Sequence, residues 1–207
     1  MLVWYAAYGS NLLRSRFVTY LRGGPVPGSG RIQAGARDDA DPQEAVSYAF
    51  DRPLIFGQRA SGWGGGGVCF VDPDRSEPGV TAGRAWLVTG QQLSDIWAQE
   101  NGLDVGVDPD LEAVRSAGSL DVGTGWYRRL LSLGELDGHP ILTFTCASPP
   151  ELNPAHSSYL GVVGQGLRET WGWSPQEAAA YLAACPGNAG QVDPASLATL
   201  LEAEPPS

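Results

Sequence analysis

The sequence predicts an α+β domain, a mixed sheet with flanking helices, and three observations carry that expectation. Gly 28 and Pro 16 among 207 residues imply many turns, which favours a loop-rich α+β fold over a helical bundle. Hydrophobic residues reach 43% against 17% charged, enough for a substantial core and the reverse of a disordered composition. Short strand-like runs are interleaved with segments of helical period. The length suits one domain, residues 1–207, with no internal repeat. The helical segment 186–207 is the one candidate appendage.

Leu2 to Ala7 reads as a first strand, aromatic-rich and buried on both faces. Asn11 suits the N-cap of the helix that follows, because its side chain can accept from free N–H groups. Leu13, Phe17, Tyr20 and Leu21 recur at helical spacing until Gly23-Gly24-Pro25 stops them. Pro25 to Gln43 reads as loop. Val46 to Phe50, Leu54 to Phe56, Val68 to Val71 and Arg84 to Val88 read as short strands, with a turn at Asp72-Pro73-Asp74.

Gln91 to Asn101 reads as a helix ended by Gly102. Asp104 to Gly123 is loop, or holds a helix from Pro109 to Val114. Trp126 to Leu133 and Ile141 to Cys146 form a hairpin about Asp137-Gly138. Asn153-Pro154 reads as a cap and first-turn proline for a helix carrying Tyr159, Val163, Gly166 and Thr170 on one face. Ser174-Pro175-Gln176-Glu177 combines N-cap, N1 proline and capping-box glutamate for a helix to about Ala184. Asp193 to Leu201 is a last short helix.

Charge and chemistry narrow the function. The net charge of −10 argues against nucleic acid or an anionic membrane as partner. Every basic residue is arginine, which excludes a Walker-type phosphate loop, a Schiff-base lysine and a lysine general base. Cys69, Cys146 and Cys185 are widely spaced, so neither a disulfide framework nor structural zinc is expected. The N-terminus has no signal-peptide pattern and no apolar run reaches spanning length, so the cytoplasm is the expected compartment. His139 and His156 read as solvated loop residues, without HExxH or GxSxG context. Gly62 to Gly67 reads as a bulged or flexible turn, and Gly161 to Gly166 as close helix packing, since neither has nucleotide context.

Two features suggest chemistry. In the helix Gln91 to Asn101, Glu100 continues the apolar stripe of Leu93, Ile96 and Trp97. It lies in the last turn, where desolvation and the helix dipole both raise a carboxylate's pKa, as suits proton exchange near neutrality. The same pattern also fits a frayed end with Glu100 in water. At Tyr8-Gly9-Ser10-Asn11 a strand meets a helix, and unpaired N–H groups there can hold a carboxylate or an oxyanion. An ordinary capped turn fits those residues equally.

Together these residues resemble the gamma-glutamyl cyclotransferase-like family. Tyr8-Gly9-Ser10-Asn11-Leu12 reproduces its hallmark after the first strand. Gln99-Glu100-Asn101-Gly102 resembles its Gln-Glu-Gly, with one extra residue before the glycine. Trp126-Tyr127, Ile141 to Thr145, Asn153-Pro154 with Tyr159, and Gly166-Leu167-Arg168-Glu169 are looser matches, and the family often has tyrosine near where Cys146 stands. The resemblance implies a small mixed-sheet, barrel-like fold. It implies conversion of a gamma-glutamyl amine to 5-oxoproline and free amine, a transferase or lyase reaction without metal or cofactor. Glu100 would be base then acid, and Tyr8, Gly9, Ser10, Asn11 and Leu12 would bind the small-molecule substrate. Tyr159 is a further substrate-binding candidate, or a core aromatic. A non-catalytic binding module and an amide hydrolase are the rival functions, and oligomeric state is left open.

Overall fold

The computed structural model describes residues 1–26 and 32–203. Six strands form one mixed sheet. In chain order they are β1 (Leu2–Ala7), β4 (Glu44–Phe50), β7 (Thr81–Thr89), β8 (Ser119–Asp121), β9 (Arg129–Leu136) and β10 (His139–Thr145). Their order across the sheet is β4-β7-β1-β10-β9-β8. The pair β1–β10 is parallel, with Trp4 opposite Ile141, and every other neighbouring pair is antiparallel. Two strands form a separate hairpin, β5 (Leu54–Ala60) with β6 (Gly66–Val71). A two-residue ribbon joins β2 (Gly24–Pro25) to β3 (Ile32–Gln33). The long sheet is open, since its outer strands β4 and β8 are each paired on one side. The mixed sheet with flanking helices is as expected, and among the described residues no barrel closes: a second, two-stranded sheet accompanies the long one.

The alternation along β1 explains the layering. Val3, Tyr5 and Ala7 face one way, Trp4, Ala6 and Tyr8 the other, and all are buried. The first set packs under helices α1 (Arg14–Arg22), α2 (Gly90–Glu100) and α3 (Leu111–Ala117), with Phe17 stacked on Trp86 at 4.4 Å between centroids. The second set packs against β5–β6 and against α4 (Ser157–Trp171), α5 (Pro175–Ala184) and α6 (Pro194–Glu202). A strand buried on both faces needs apolar residues at every position, which is the sequence Leu2–Ala7 supplies.

The C-terminal helices lie close to the rest. Leu197, Ala198 and Leu201 of α6 belong to the core on the β5–β6 side. In α4 a Cβ on Gly164 would come within 2.6 Å of Leu201, and one on Gly166 within 2.5 Å of Leu12, so these glycines serve close packing. The Asn188 side chain ties Ala155 to Leu182.

Local differences from the expectation have physical causes. β8 arises where loop was expected, because three residues suffice to continue the ladder beside β9. Helix α4 starts at Ser157 with His156 as N-cap, not at Asn153-Pro154. The Asn153 amide instead donates to Gln58 O (2.8 Å) and Gly65 O (3.0 Å), clamping the hairpin β5–β6. His156 is accordingly a capping residue. Asn11 does not cap α1, whose N-cap is Leu13 without a side-chain bond. Part of the loop expected over Pro25 to Gln43, residues 27–31, lies outside the described residues.

Candidate active site

The turn after β1 is pinned from below by its own carbonyls. Leu12 N donates to Gly9 O (3.0 Å) and Leu13 N to Ser10 O (3.3 Å), making one 3-10 turn at Ser10–Leu12. Trp86 Nε1 donates to Asn11 O (3.0 Å), and an Arg84 guanidinium N–H donates to Leu12 O (3.1 Å). With these carbonyls engaged, the N–H groups of Gly9, Ser10 and Asn11 have no backbone acceptor among the described residues. Gly9 is close-packed: a Cβ there would stand 3.1 Å from the Tyr159 hydroxyl and 3.2 Å from Cys69 Cβ.

Glu100 reaches this turn from α2. That helix is fixed at its start by a capping box between Thr89 and Gln92. Its end is fixed by a Schellman arrangement, in which Leu103 N donates to Ala98 O (2.9 Å) and Gly102 N to Gln99 O (3.2 Å). Gly102 has φ +66, the left-handed conformation this stop requires. The extra residue Asn101 is therefore the C-cap, and the final turn is held closed, not frayed. Glu100 is half-buried, and its Oε1 accepts from Asn11 Nδ2 at 2.9 Å. The same Nδ2 donates to the Tyr5 hydroxyl at 3.2 Å. Asn11 Oδ1 is buried and has no partner.

These groups line a small open cleft. Tyr8, Gly9, Ser10, Asn11, Glu100 and Tyr159, all singled out from the sequence, are on its wall, and Leu12 is not. Leu12 is fully buried in the core beneath α4. Tyr5, Cys69, Tyr127 and Phe144 complete the wall and were missed in the sequence, because each sits on or near a strand in a pattern that core packing alone explains. The Tyr127 hydroxyl donates to Cys69 O (3.1 Å) and the Tyr8 hydroxyl to Phe144 O (2.6 Å), so both rings are locked. One signal for Tyr127 was available: Asn101 beside Glu100, whose Oδ1 accepts from Tyr127 N at 3.0 Å.

Burial raises the pKa of the Tyr5, Tyr8, Tyr127 and Tyr159 phenols and of the Cys69 thiol well above their ordinary values. These groups stay protonated and act as neutral donors or apolar surface. Among the lining residues Glu100 is the one carboxylate, and none is cationic. The cleft wall therefore carries the Glu100 carboxylate, hydrogen-bonded to the Asn11 amide N–H, beside a turn whose Gly9, Ser10 and Asn11 N–H groups have no backbone acceptor among the described residues. Among the described residues no group of three or more His, Cys, Asp or Glu side chains is placed to hold a metal ion. No helix described here is long and apolar enough to cross a membrane.

Comparisons with known proteins bear on the fold. No family model matches the chain. A curated relative, histone deacetylase 5 of Arabidopsis thaliana, is 34% identical over 198 residues, covering 87% of this chain and 30% of that protein. The chain thus spans less than a third of the relative's length, and the activity in that name is a statement about the whole relative. Among solved structures, a gamma-glutamyl cyclotransferase aligns over 98% of this chain and 99% of its own, at 15% identity and TM-score 0.50. YkqA from Bacillus subtilis aligns over 89% of this chain and 55% of its own, at 16% identity and TM-score 0.49. The open mixed sheet, the six helices and the alignment over nearly the full length of both chains together give the chain the gamma-glutamyl cyclotransferase-like fold.

Proposed function

We propose that the protein is a cyclotransferase acting on a gamma-glutamyl amine, with Glu100 as the proton carrier. The observation that carries this reading is the Glu100 carboxylate, hydrogen-bonded to Asn11 Nδ2 and set beside the Tyr8–Asn11 turn, in a cleft lined by no cation. A carboxylate with no cation on the wall around it suits an ammonium group, and the α-ammonium of a glutamyl unit supplies one. Glu100 takes a proton from it, and the freed amine attacks the γ-carbonyl carbon. A new C–N bond closes a five-membered ring while the carbonyl electrons move to oxygen, opposite the unpaired N–H groups of the turn. The old C–N bond then breaks as protonated Glu100 gives its proton to the departing amine, and the ring nitrogen loses its second proton to the Glu100 carboxylate, which passes it to the free amine. The products are 5-oxoproline and free amine.

Holding the substrate folded makes the attack intramolecular, which supplies much of the rate. Proton transfer by Glu100 contributes roughly 10²–10⁴-fold. The test is product analysis on a panel of gamma-glutamyl amines. Formation of 5-oxoproline supports cyclisation. Free glutamate would make the protein an amide hydrolase, and no product, with ligand still bound, would make it a binding module.

A further inference from the structure

Arg16 and Tyr20 are one helical turn apart on α1, so both lie on the same face. Both are buried, Arg16 with 4% and Tyr20 with 2% of its surface exposed. Arg14 and Arg22 of the same helix pair with Asp41, whereas Arg16 meets no carboxylate within ion-pair distance among the described residues. Its Nε and Nη1 are buried without a hydrogen-bond partner. Its guanidinium carbon stands 5.1 Å from the centre of the Trp63 ring and 6.0 Å from that of Tyr20. Such contacts recover only a small part of the cost of drying a charge.

The Tyr20 phenol links this cation to the cleft, because it is hydrogen-bonded to Arg16 and to Glu100. The direction of the chain follows from the groups themselves. A guanidinium only donates and an ionised carboxylate only accepts. The phenol oxygen therefore accepts from Arg16, and its one O–H donates to Glu100. Burial and the Glu100 charge outweigh the pull of Arg16 and keep the phenol protonated. Gln99 holds the two helices in register, its Nε2 donating to Tyr20 O (2.9 Å) and to Asp95 O (3.2 Å). From the other side Asn11 Nδ2 donates to Glu100 Oε1 at 2.9 Å. The remaining titratable groups on the cleft wall are Tyr5, Tyr8, Cys69, Tyr127 and Tyr159, all kept protonated and neutral by burial.

We infer that Tyr20 is a positioning residue for Glu100, and that Arg16, by turning the phenol O–H onto the carboxylate, holds Glu100 ionised and aimed at the Tyr8–Asn11 turn. Its consequence for turnover rests on the function proposed above. With Asn11 on one side and Tyr20 on the other, the carboxylate is oriented before a substrate ammonium arrives, which is part of the orientational advantage of the site.

Carbon-13 NMR of protein labelled at the glutamate side-chain carboxyls tests this without turnover, the Glu100 signal being assigned by its loss in Glu100→Gln. In Tyr20→Phe the midpoint of the Glu100 titration should move up by at least ~0.5 pH unit, because a donor to the charged form is gone. Arg16→Met should move it in the same direction. Introduced into Tyr20→Phe protein, Arg16→Met should move it less than half as far, since the guanidinium acts through the phenol. Arg16→Lys serves where the methionine variant does not fold, and should give a smaller upward step. In product assays Tyr20→Phe should lower kcat by ~10-fold with KM changed less than ~3-fold, and the acid limb of its pH profile should follow the NMR midpoint. An unmoved midpoint or a native kcat in Tyr20→Phe overturns the assignment, and equal Arg16→Met steps in both backgrounds overturn the route through the phenol. Native protein that makes 5-oxoproline while the midpoint stays put refutes the positioning role and leaves the cyclotransferase standing. A moved midpoint in a protein that makes no 5-oxoproline does the reverse, and the absence of both refutes both.

Discussion

Removing the Asn101 side chain should loosen the cleft through its far wall, in an amount the hydrogen bonds set. Asn101 Nδ2 donates to Trp97 O (3.0 Å) and Tyr127 O (3.3 Å), and Oδ1 accepts from Tyr127 N (3.0 Å). Each bond contributes about 1 kcal/mol net, so Asn101→Ala should cost about 2–3 kcal/mol. For a chain of this size that is a fall in Tm of roughly 4–12 °C. Gly125 gives the claim a second handle. It has φ +108, and a Cβ there would lie 2.2 Å from Asn101 Oδ1. Gly125→Ala is therefore strained by its backbone and clashes with Asn101. In the double variant the contacts with Oδ1 and Cγ (2.2 and 2.9 Å) disappear, while the 3.0 Å contact with Cβ and the backbone strain stay. The two costs should fall short of additivity by about 1 kcal/mol or more. Thermal and urea denaturation of the four proteins measures this. Additive costs, or an Asn101→Ala protein within about 1 °C of the native Tm, would refute the clamp.

Four further outcomes follow from the geometry. Glu100→Gln should lower 5-oxoproline formation by at least ~100-fold, and native-like rates in a product assay would remove Glu100 from the mechanism. Gly9→Ala pushes a methyl toward the Tyr159 hydroxyl and Cys69, so ligand affinity should fall about tenfold by calorimetry, and unchanged affinity contradicts the packing. Asp95 is fully buried and accepts from the Arg37 guanidinium (3.0 Å) and from Arg37 N (2.9 Å), so Asp95→Ala should cost about 3–5 kcal/mol in urea unfolding. Burial raises the Asp72 pKa, but the Ser76 hydroxyl and the N–H groups of Asp74, Ser76 and Glu77 outweigh it and hold the value below the ordinary range. Its stabilisation is therefore present above the unfolded carboxylate pKa of about 3.9 and lost as pH falls through the lower folded value. Asp72→Asn should flatten the acid side of the stability curve, and an unchanged slope counts against the cap.

The central strand and the cleft were legible to different degrees. Leu2–Ala7 was legible because a strand covered on both faces has no polar position to blur it. Glu100 was legible because a carboxylate on an apolar stripe is an inconsistency, and helix period makes it visible. Tyr5, Cys69, Tyr127 and Phe144 gave no such inconsistency, since an apolar wall of a cleft and an apolar core use the same residues. Asn11 and Asn153 were misread for a shared reason. Each is an amide beside a helix start, and local pattern favours a cap, whereas distant partners claimed both: Glu100 for Asn11, and Gln58 with Gly65 for Asn153.

The position of β1 in the sheet also sets a clock. Trp4 lies opposite Leu87 on one side and Ile141 on the other, so the first strand made waits for β10 to find its second neighbour. At synthesis rates of about 5–20 residues per second, its apolar side chains and unpaired backbone groups wait roughly 7–30 s for the second partner. The Tyr8–Asn11 turn is born with it and stays without Glu100, Tyr127 and Tyr159 until nearly the whole domain has emerged. Completion of the cleft is thus a late event on the ribosome, and a chain stalled before β10 would carry the cleft's most recognisable residues with no cleft around them.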